Sequence, residues 1–454
     1  RILLVYNPPE YYTNIFAANL TSLKYNVLSI MTGAASKIYM SYKHLVVFSP
    51  ASNIYLISIK HVLEATLHML PASLAEKISE LLKNNTYYTV MTAYNLFRQY
   101  VKSLPQSEAG NLALTINKLV KQESFTAKSR FYVFAINGLS IKYRGSFEVK
   151  GYLQNQFCME EYRGKYFIVA TNYVEYTPVI NIYTYKIGNV EKDIGITITL
   201  PNGEKQTYTH EINSTNYPSI IRDVWIWTKT KKGSNALTIV DLENLKMVSR
   251  LDDIAVGETI KTGRLINDIY ILVTYRRVDP LFAINVSDPY HPEIIGYLKI
   301  PGYNVYLHPL GHDILLGIGV DSGNLTISLY NISDPKHVSQ LSRASIGKLV
   351  TSPVLYDYHA FTLVPEKKVF IIPLSHGWAW SSGSTTNTGV WGYRCFGFLI
   401  MSYANDELGL VKIVELNNGG RSLYIGDKLY LVSPSEILVL SLENYEEIGN
   451  IRLG

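Results

Sequence analysis

Cysteine is almost absent: Cys158 and Cys395 are the two in 454 residues, far apart in the chain. That excludes the Cys-x-x-Cys spacing of a structural zinc site, and no metal is expected. Charge is also scarce, with 42 Lys and Arg against 37 Asp and Glu and a net charge of +5. The basic residues form no extended block, so a dedicated nucleic-acid binder, which needs a basic stripe, is excluded. No apolar run is long enough for a membrane-spanning helix. There is no P-loop and no Gly-x-Ser-x-Gly elbow. Gly317-x-Gly319-x-x-x-Gly323 misses the dinucleotide fingerprint by one residue and leads into a strand-like run, so no cofactor is expected. An initiator methionine is missing too. The chain opens on Arg1 and the apolar run Ile2–Tyr6, which reads as a strand and lacks the order of an export signal. Processing or truncation upstream is the expectation.

What remains is rich in strand formers. Hydrophobic residues make up 47% and tyrosines number 36 against 14 phenylalanines, enough for a large core with half-buried strands. From residue 126 onward, short runs of Val, Ile, Tyr, Phe and Leu alternate with Gly, Asn, Asp and Pro turns. This is the spacing of an all-β fold. Two stretches repeat. Leu281-Phe-Ala-Ile-Asn285-Val-Ser-Asp-Pro289 has its counterpart in Ile327-Ser-Leu-Tyr-Asn331-Ile-Ser-Asp-Pro335, with weaker copies at 237–244 and 438–444. A strand–turn–strand repeat of this size is one blade of a β-propeller. Setting insertions aside leaves roughly 340 residues, or seven blades at about 45 each, with six or eight within reach.

Residues 1–59 read as N-terminal strands and a first blade, and 124–454 as the remaining blades. Between them the period turns helical over 60–123. Ser73-x-x-Glu76 has the form of a capping box, and Leu74, Ile78, Leu81 and Leu82 mark one apolar face. Tyr94, Phe97, Val101 and Leu104 mark a second, and Leu112, Ile116, Leu119 and Val120 a third. A helical insertion packed on the propeller is expected, with a lid or docking surface as the functional reading. An extended hairpin around Asn202-Gly203 is expected within 173–222. A Ser/Thr/Gly/Trp loop is expected over 376–392.

The stretches Gly151–Tyr162, Val273–Phe282, Tyr306–Leu310 and Ser352–Phe361 resemble a family of secreted proteins with a β-propeller domain, distantly related to WD40 repeats, known from archaea and bacteria. The resemblance covers roughly 125–454, loosely includes 1–60 and leaves the helical insertion out. It implies export and a propeller and carries no catalytic residues.

Within that frame the two cysteines are either buried free thiols or one long-range disulfide, and an exported chain is expected to form the disulfide Cys158–Cys395. Six Asn-x-Ser/Thr sequons, at Asn19, Asn84, Asn213, Asn285, Asn324 and Asn331, are candidate glycosylation sites. Trp378, Trp380 and Trp391 either pack their loop down or contact a glycan. His308-Pro-Leu-Gly-His312 has zinc-helix spacing, but Pro309 and Gly311 forbid the helix, so both His are expected to bond backbone in a turn. Asp279, Asp288, Asp334 and Asp357 are expected to cap their own turns. Arg276 and Arg277 are expected in an ion pair between blades. Ile2–Tyr6 is expected to close the ring beside Glu447–Leu453. The functional expectation is a non-enzymatic extracellular or cell-surface scaffold or binding protein, taking a protein partner, its own copies or a glycan, with a filament or surface layer as one form. The alternative is a secreted hydrolase or lyase with its site in the central channel.

Overall fold

The structure, a computed structural model, describes residues 2–4, 11–32, 35–50, 53–84, 86–122, 124–186, 193–199, 205–211, 220–275, 279–300, 302–348, 350–381 and 388–453, with backbone pairing alone within 184–222 and 376–395. It divides into two compact units. The first, residues 1–51, 128–173 and 232–454, is a succession of antiparallel sheets.

Six sheets follow the chain order. Blade I is Lys37–Met40, His44–Pro50, Lys128–Asn137 and Ser140–Lys150; blade II is Met159–Tyr162, Tyr166–Tyr173, Ser234–Asp241 and Lys246–Ile254. Blade III is Thr259–Ile266, Ile269–Tyr275, Asp279–Asn285 and Glu293–Ile300; blade IV is Tyr303–Pro309, Ile314–Asp321, Asn324–Asn331 and Ser339–Lys348. Blade V is five-stranded, built on the long hairpin Val369–Ser381 and Thr388–Ser402; blade VI is Arg421–Ile425, Lys428–Val432, Glu436–Ser441 and Glu447–Arg452. Among the described residues the blades number six, within the six to eight expected, and a three-stranded sheet precedes them. Among the described residues the sheets do not close into a ring.

The N-terminal strand departs from expectation. Ile2–Leu4 pairs in parallel with Ser29–Met31 of that three-stranded sheet, not with the last blade. A closer partner strand, Tyr25–Thr32, satisfies its backbone first. The expected loop over 376–392 is mostly the end of the blade V hairpin, paired out to Ser381 and Thr388.

Blades II, III and IV bury both faces of their middle strands. Ser234–Asp241 is buried along its whole length, while the outer strand Lys246–Ile254 is largely open to water. Phe48, Phe131, Phe147 and Phe167 build the core where blades I and II meet, with the Phe131 and Phe147 rings stacked at 5.1 Å. Burying each ring contributes about 1.5–3 kcal/mol. The repeat seen in the sequence is a repeat of geometry. Asn285 Oδ1 accepts from Ser287 N at 3.0 Å, and Asn331 Oδ1 from Ser333 N at 2.9 Å. Asp288 accepts from Tyr290 N and Asp334 from Lys336 N, and each pairs with the His three residues on. The histidine hydrogen bond holds both carboxyls below the ordinary aspartate value. Asp357 likewise accepts from His359 N. These three aspartates cap their turns as expected; the side chain of Asp279 lies outside the described residues.

The second unit unites the two insertions, residues 52–127 and 174–231. Its helices are α1 (Ile54–Thr66), α2 (Ala72–Asn84), α3 (Tyr87–Ser103) and α4 (Gln106–Val120). The first begins inside the span expected to be strand. Ile54–Ile59 is β-branched enough to read as a strand, but Ile59, Val62 and Leu63 fall on one helical face and are fully buried. The Ser73 box does not open a helix, because α2 already starts at Ala72 behind Pro71; the capping box is Thr86 with Thr89, at the head of α3. The helices share their core with the second inserted segment, which the sequence pattern does not indicate. Ile78, Phe97, Val101, Ile116 and Val120 pack on Ile180, Val224 and Ile226 of the inserted sheet, which runs in the order Ile220–Thr230, Glu175–Lys186, Phe125–Thr126. The expected hairpin is present, with Asp193–Thr199 paired to Lys205–Glu211.

Both open edges of that inserted sheet are plugged by helix side chains. Tyr94 of α3 donates its hydroxyl to Val224 O at 2.8 Å. On the other edge Asn117 of α4 donates to Ile180 O at 2.8 Å and accepts from Ile180 N at 3.0 Å, as a neighbouring strand would. Pro178 offers no N–H there. Asn117→Ala leaves both Ile180 groups unpaired in a buried place and is expected to cost about 1–3 kcal/mol, read by urea denaturation against wild type.

Candidate functional site

The inner ends of the blades are the first candidate, since a propeller channel would open there. Aromatic rings cluster there. Phe157, just ahead of blade II, lies 5.5 Å from Tyr306 of blade IV and 6.0 Å from Tyr358 of blade V. Phe361 adds contacts to Tyr306 at 5.3 Å and to His308 at 4.6 Å. The Tyr306 hydroxyl and His308 Nδ1 share a hydrogen bond of 2.8 Å. Burial, with the Arg264 charge as a smaller cause, lowers the His308 pKa to about 4. This imidazole is therefore neutral around pH 7.

The ionisable groups beside these rings are paired. Glu160 of blade II meets Arg264 of blade III at 3.1 Å. Burial pushes the Glu160 carboxyl up, against the pull of Arg264. Glu161 accepts from Ser41 Oγ and pairs with His44 Nδ1, both at 2.8 Å, while its backbone N–H donates to Tyr39 Oη at 3.0 Å. Next to them Tyr270 is wholly buried and its hydroxyl has no partner among the described residues; Gly263 faces it, where a Cβ would come within 2.2 Å of the oxygen. A buried, unpartnered hydroxyl costs stability. Tyr270→Phe is expected to leave the melting temperature unchanged or raise it; a clear fall would mean that the hydroxyl has a partner.

The expected disulfide is not seen among the described residues. Cys158 is a free thiol, enclosed by the core of blades I to III and 3.3 Å from Asn155 Oδ1, and burial pushes it up to about 12. Its sulfur meets an amide oxygen instead of a second sulfur, and the side chain of Cys395 lies outside the described residues. The two histidines of the 308–312 motif part company: His308 bonds Tyr306 and not backbone, while His312 sits in an exposed turn. The side chains of Trp378, Trp380 and Trp391, with Arg276, Arg277 and Asn213, lie outside the described residues. Asn19 sits in an exposed turn, where its side chain accepts from Thr21 N and Ser22 N, and Asn84 at the exposed end of α2. Asn285, Asn324 and Asn331 are half-buried at strand ends.

A second candidate went unread in the sequence. On the inserted sheet, Trp225 and Trp227 alternate with buried Val224 and Ile226, so both indoles share the outward face. They are 56% and 42% exposed, and Tyr183 beside them 42%. Asn181 lies opposite Trp225 in the ladder, and Val179 opposite Trp227. The signal was the alternation Val224-Trp-Ile-Trp227 inside a strand that buries its even positions.

Successive antiparallel blades, packed face to face with repeated turns, decide the family, and a family profile described as a beta propeller domain matches residues 1–445. The chain belongs to the β-propeller domain family. That match extends the resemblance to the N-terminal sheet and across the insertions. An uncharacterized protein of Methanocaldococcus jannaschii is 27% identical over 94% of this chain and 58% of its own length. An uncharacterized protein of Archaeoglobus fulgidus is 34% identical over 48% of this chain and 32% of its own. This propeller chain therefore spans between a third and three fifths of the relatives it matches. Among solved structures, apo AztD from Citrobacter koseri overlaps 72% of this chain and 83% of its own at 13% identity and a TM-score of 0.33.

Proposed function

We propose that this propeller is a non-enzymatic extracellular or cell-surface binding protein, with the blades as its frame and the inserted unit as its binding element. One observation carries the reading: at the inner ends of the blades Phe157 and Phe361 close on the buried ring of Tyr306 and Glu160 is paired with Arg264, whereas Trp225, Trp227 and Tyr183 stand open to water together on the inserted sheet. Exposed rings on one face mark interaction sites. The sequons at Asn19 and Asn84 are exposed, which suits glycans on an exported chain. A protein partner, a second copy or a glycan would meet that face. Labelling whole cells with a membrane-impermeant biotin reagent tests the location. Labelling before lysis is expected. Labelling only after lysis would end the proposal.

A further inference from the structure

We propose that the outward face of the inserted sheet binds an acidic polysaccharide, a chain of pyranose rings carrying carboxylates; this rests on the reading of the protein as a surface binder. The argument starts from Trp225 and Trp227. Two side chains two apart on a strand stand side by side, about 7 Å from one another. Their exposed indole faces are flat apolar surfaces, suited to the C–H faces of successive sugar rings.

Trp227 and its neighbour Tyr183 are held in place before any ligand arrives. With the Asn181 amide turned so that its nitrogen donates to Ile180 O at 3.0 Å, its oxygen accepts from Trp227 Nε1 at 3.1 Å and from the Tyr183 hydroxyl at 2.9 Å. One amide thus fixes the polar edges of two aromatic side chains and leaves their faces free. Binding to a fixed face loses less entropy than binding to a mobile one.

A cavity of about 640 Å³ opens beside Trp227, lined also by Asn117, Asn181, Lys121 and Lys229. It is in the size range of small-ligand sites. Lys231 at its rim is tied to Glu175 at 2.7 Å. Lys121 and Lys229 have no carboxylate partner among the described residues. The pocket therefore offers positive charge next to stacking rings, which complements a sugar carboxylate. Strand addition is a poor alternative, because Asn117, Pro178 and Tyr94 already occupy the sheet edges.

Affinity electrophoresis of the whole chain tests this, in native gels cast with polygalacturonate, with neutral dextran or with no polymer. Retardation by polygalacturonate alone is expected. Trp225→Ala with Trp227→Ala is expected to weaken it about tenfold or more, and Trp227→Phe to retain part of it. Lys121→Glu with Lys229→Glu is expected to abolish it, an independent reading should the tryptophan variant misfold. A wild-type chain that runs unretarded would overturn the proposal, as would retention unchanged by either pair of substitutions. Equal retardation by dextran would overturn the acidic class. Biotin labelling of whole cells is indifferent to all of these outcomes, so failure here leaves the surface-protein reading to stand or fall by itself.

Discussion

Gly319→Ala is expected to destabilise the protein by about 3 kcal/mol, at the upper end for overpacking. A Cβ at Gly319 would fall 1.8 Å from Tyr303 O and 2.6 Å from Asn304 Cα. Both are backbone atoms of the adjacent strand in blade IV, so nothing flexible can yield. Gly317 faces the side chain of Asn304, which is buried and donates to the Tyr330 hydroxyl at 2.9 Å. The glycines of this motif let two strands approach; they cradle no phosphate. Gly110→Ala supplies the contrast. It lies inside α4 with open space around its missing Cβ, and alanine there is expected to add about 0.5–1 kcal/mol. Thermal unfolding of the two variants should move in opposite directions.

Acidification from pH 6.5 to 4 is expected to cost about 3 kcal/mol through His308. Its folded pKa is lowered from 6.5 to about 4, chiefly by burial. The unfolded chain therefore takes up the proton first. The stabilisation is complete above the unfolded value, shrinks as pH falls below it and is gone below the folded value. A shift of about 2.5 units corresponds to that energy. Protonation would put a hydrogen on both ring nitrogens, so the Tyr306 hydroxyl could only accept at Nδ1, and would set the cation near Arg264. Glu160 works in the opposite sense, since its raised pKa makes the folded state hold a proton as pH climbs past 4.5. The difference between wild type and His308→Asn across the window isolates the histidine. The variant should lose the corresponding part of the slope. Equal slopes would contradict the burial of a neutral imidazole.

Much of the frame was legible in the sequence because its signals are local. The Asn-x-Ser-Asp-Pro turns recur with the same hydrogen bonds, so their spacing reported the blade repeat directly. The helical faces around Ile78, Phe97 and Ile116 were legible for the same reason. What stayed hidden depends on distant pairing. The helices and the strands of 174–231 form one unit only because Ile180, Val224 and Ile226 complete the helical core, and no local pattern links them. Ile54–Ile59 misled because β-branched residues on a buried helix resemble a strand. The pairing of Ile2–Leu4 with Ser29–Met31 is likewise a choice between partners that spacing cannot decide. In the candidate site, Trp225 and Trp227 carry no motif, and only their alternation with Val224 and Ile226 places them on one face.

The most direct test of the account is tryptophan oxidation with N-bromosuccinimide, comparing the purified protein with the protein on intact cells, site by site by mass spectrometry. Trp225 and Trp227 should oxidise readily in the purified chain, where both are exposed, and the proposed surface role predicts their protection on the cells, where a ligand would cover them. Equal oxidation of both residues in the two settings would contradict the claim that this face is the one the protein uses.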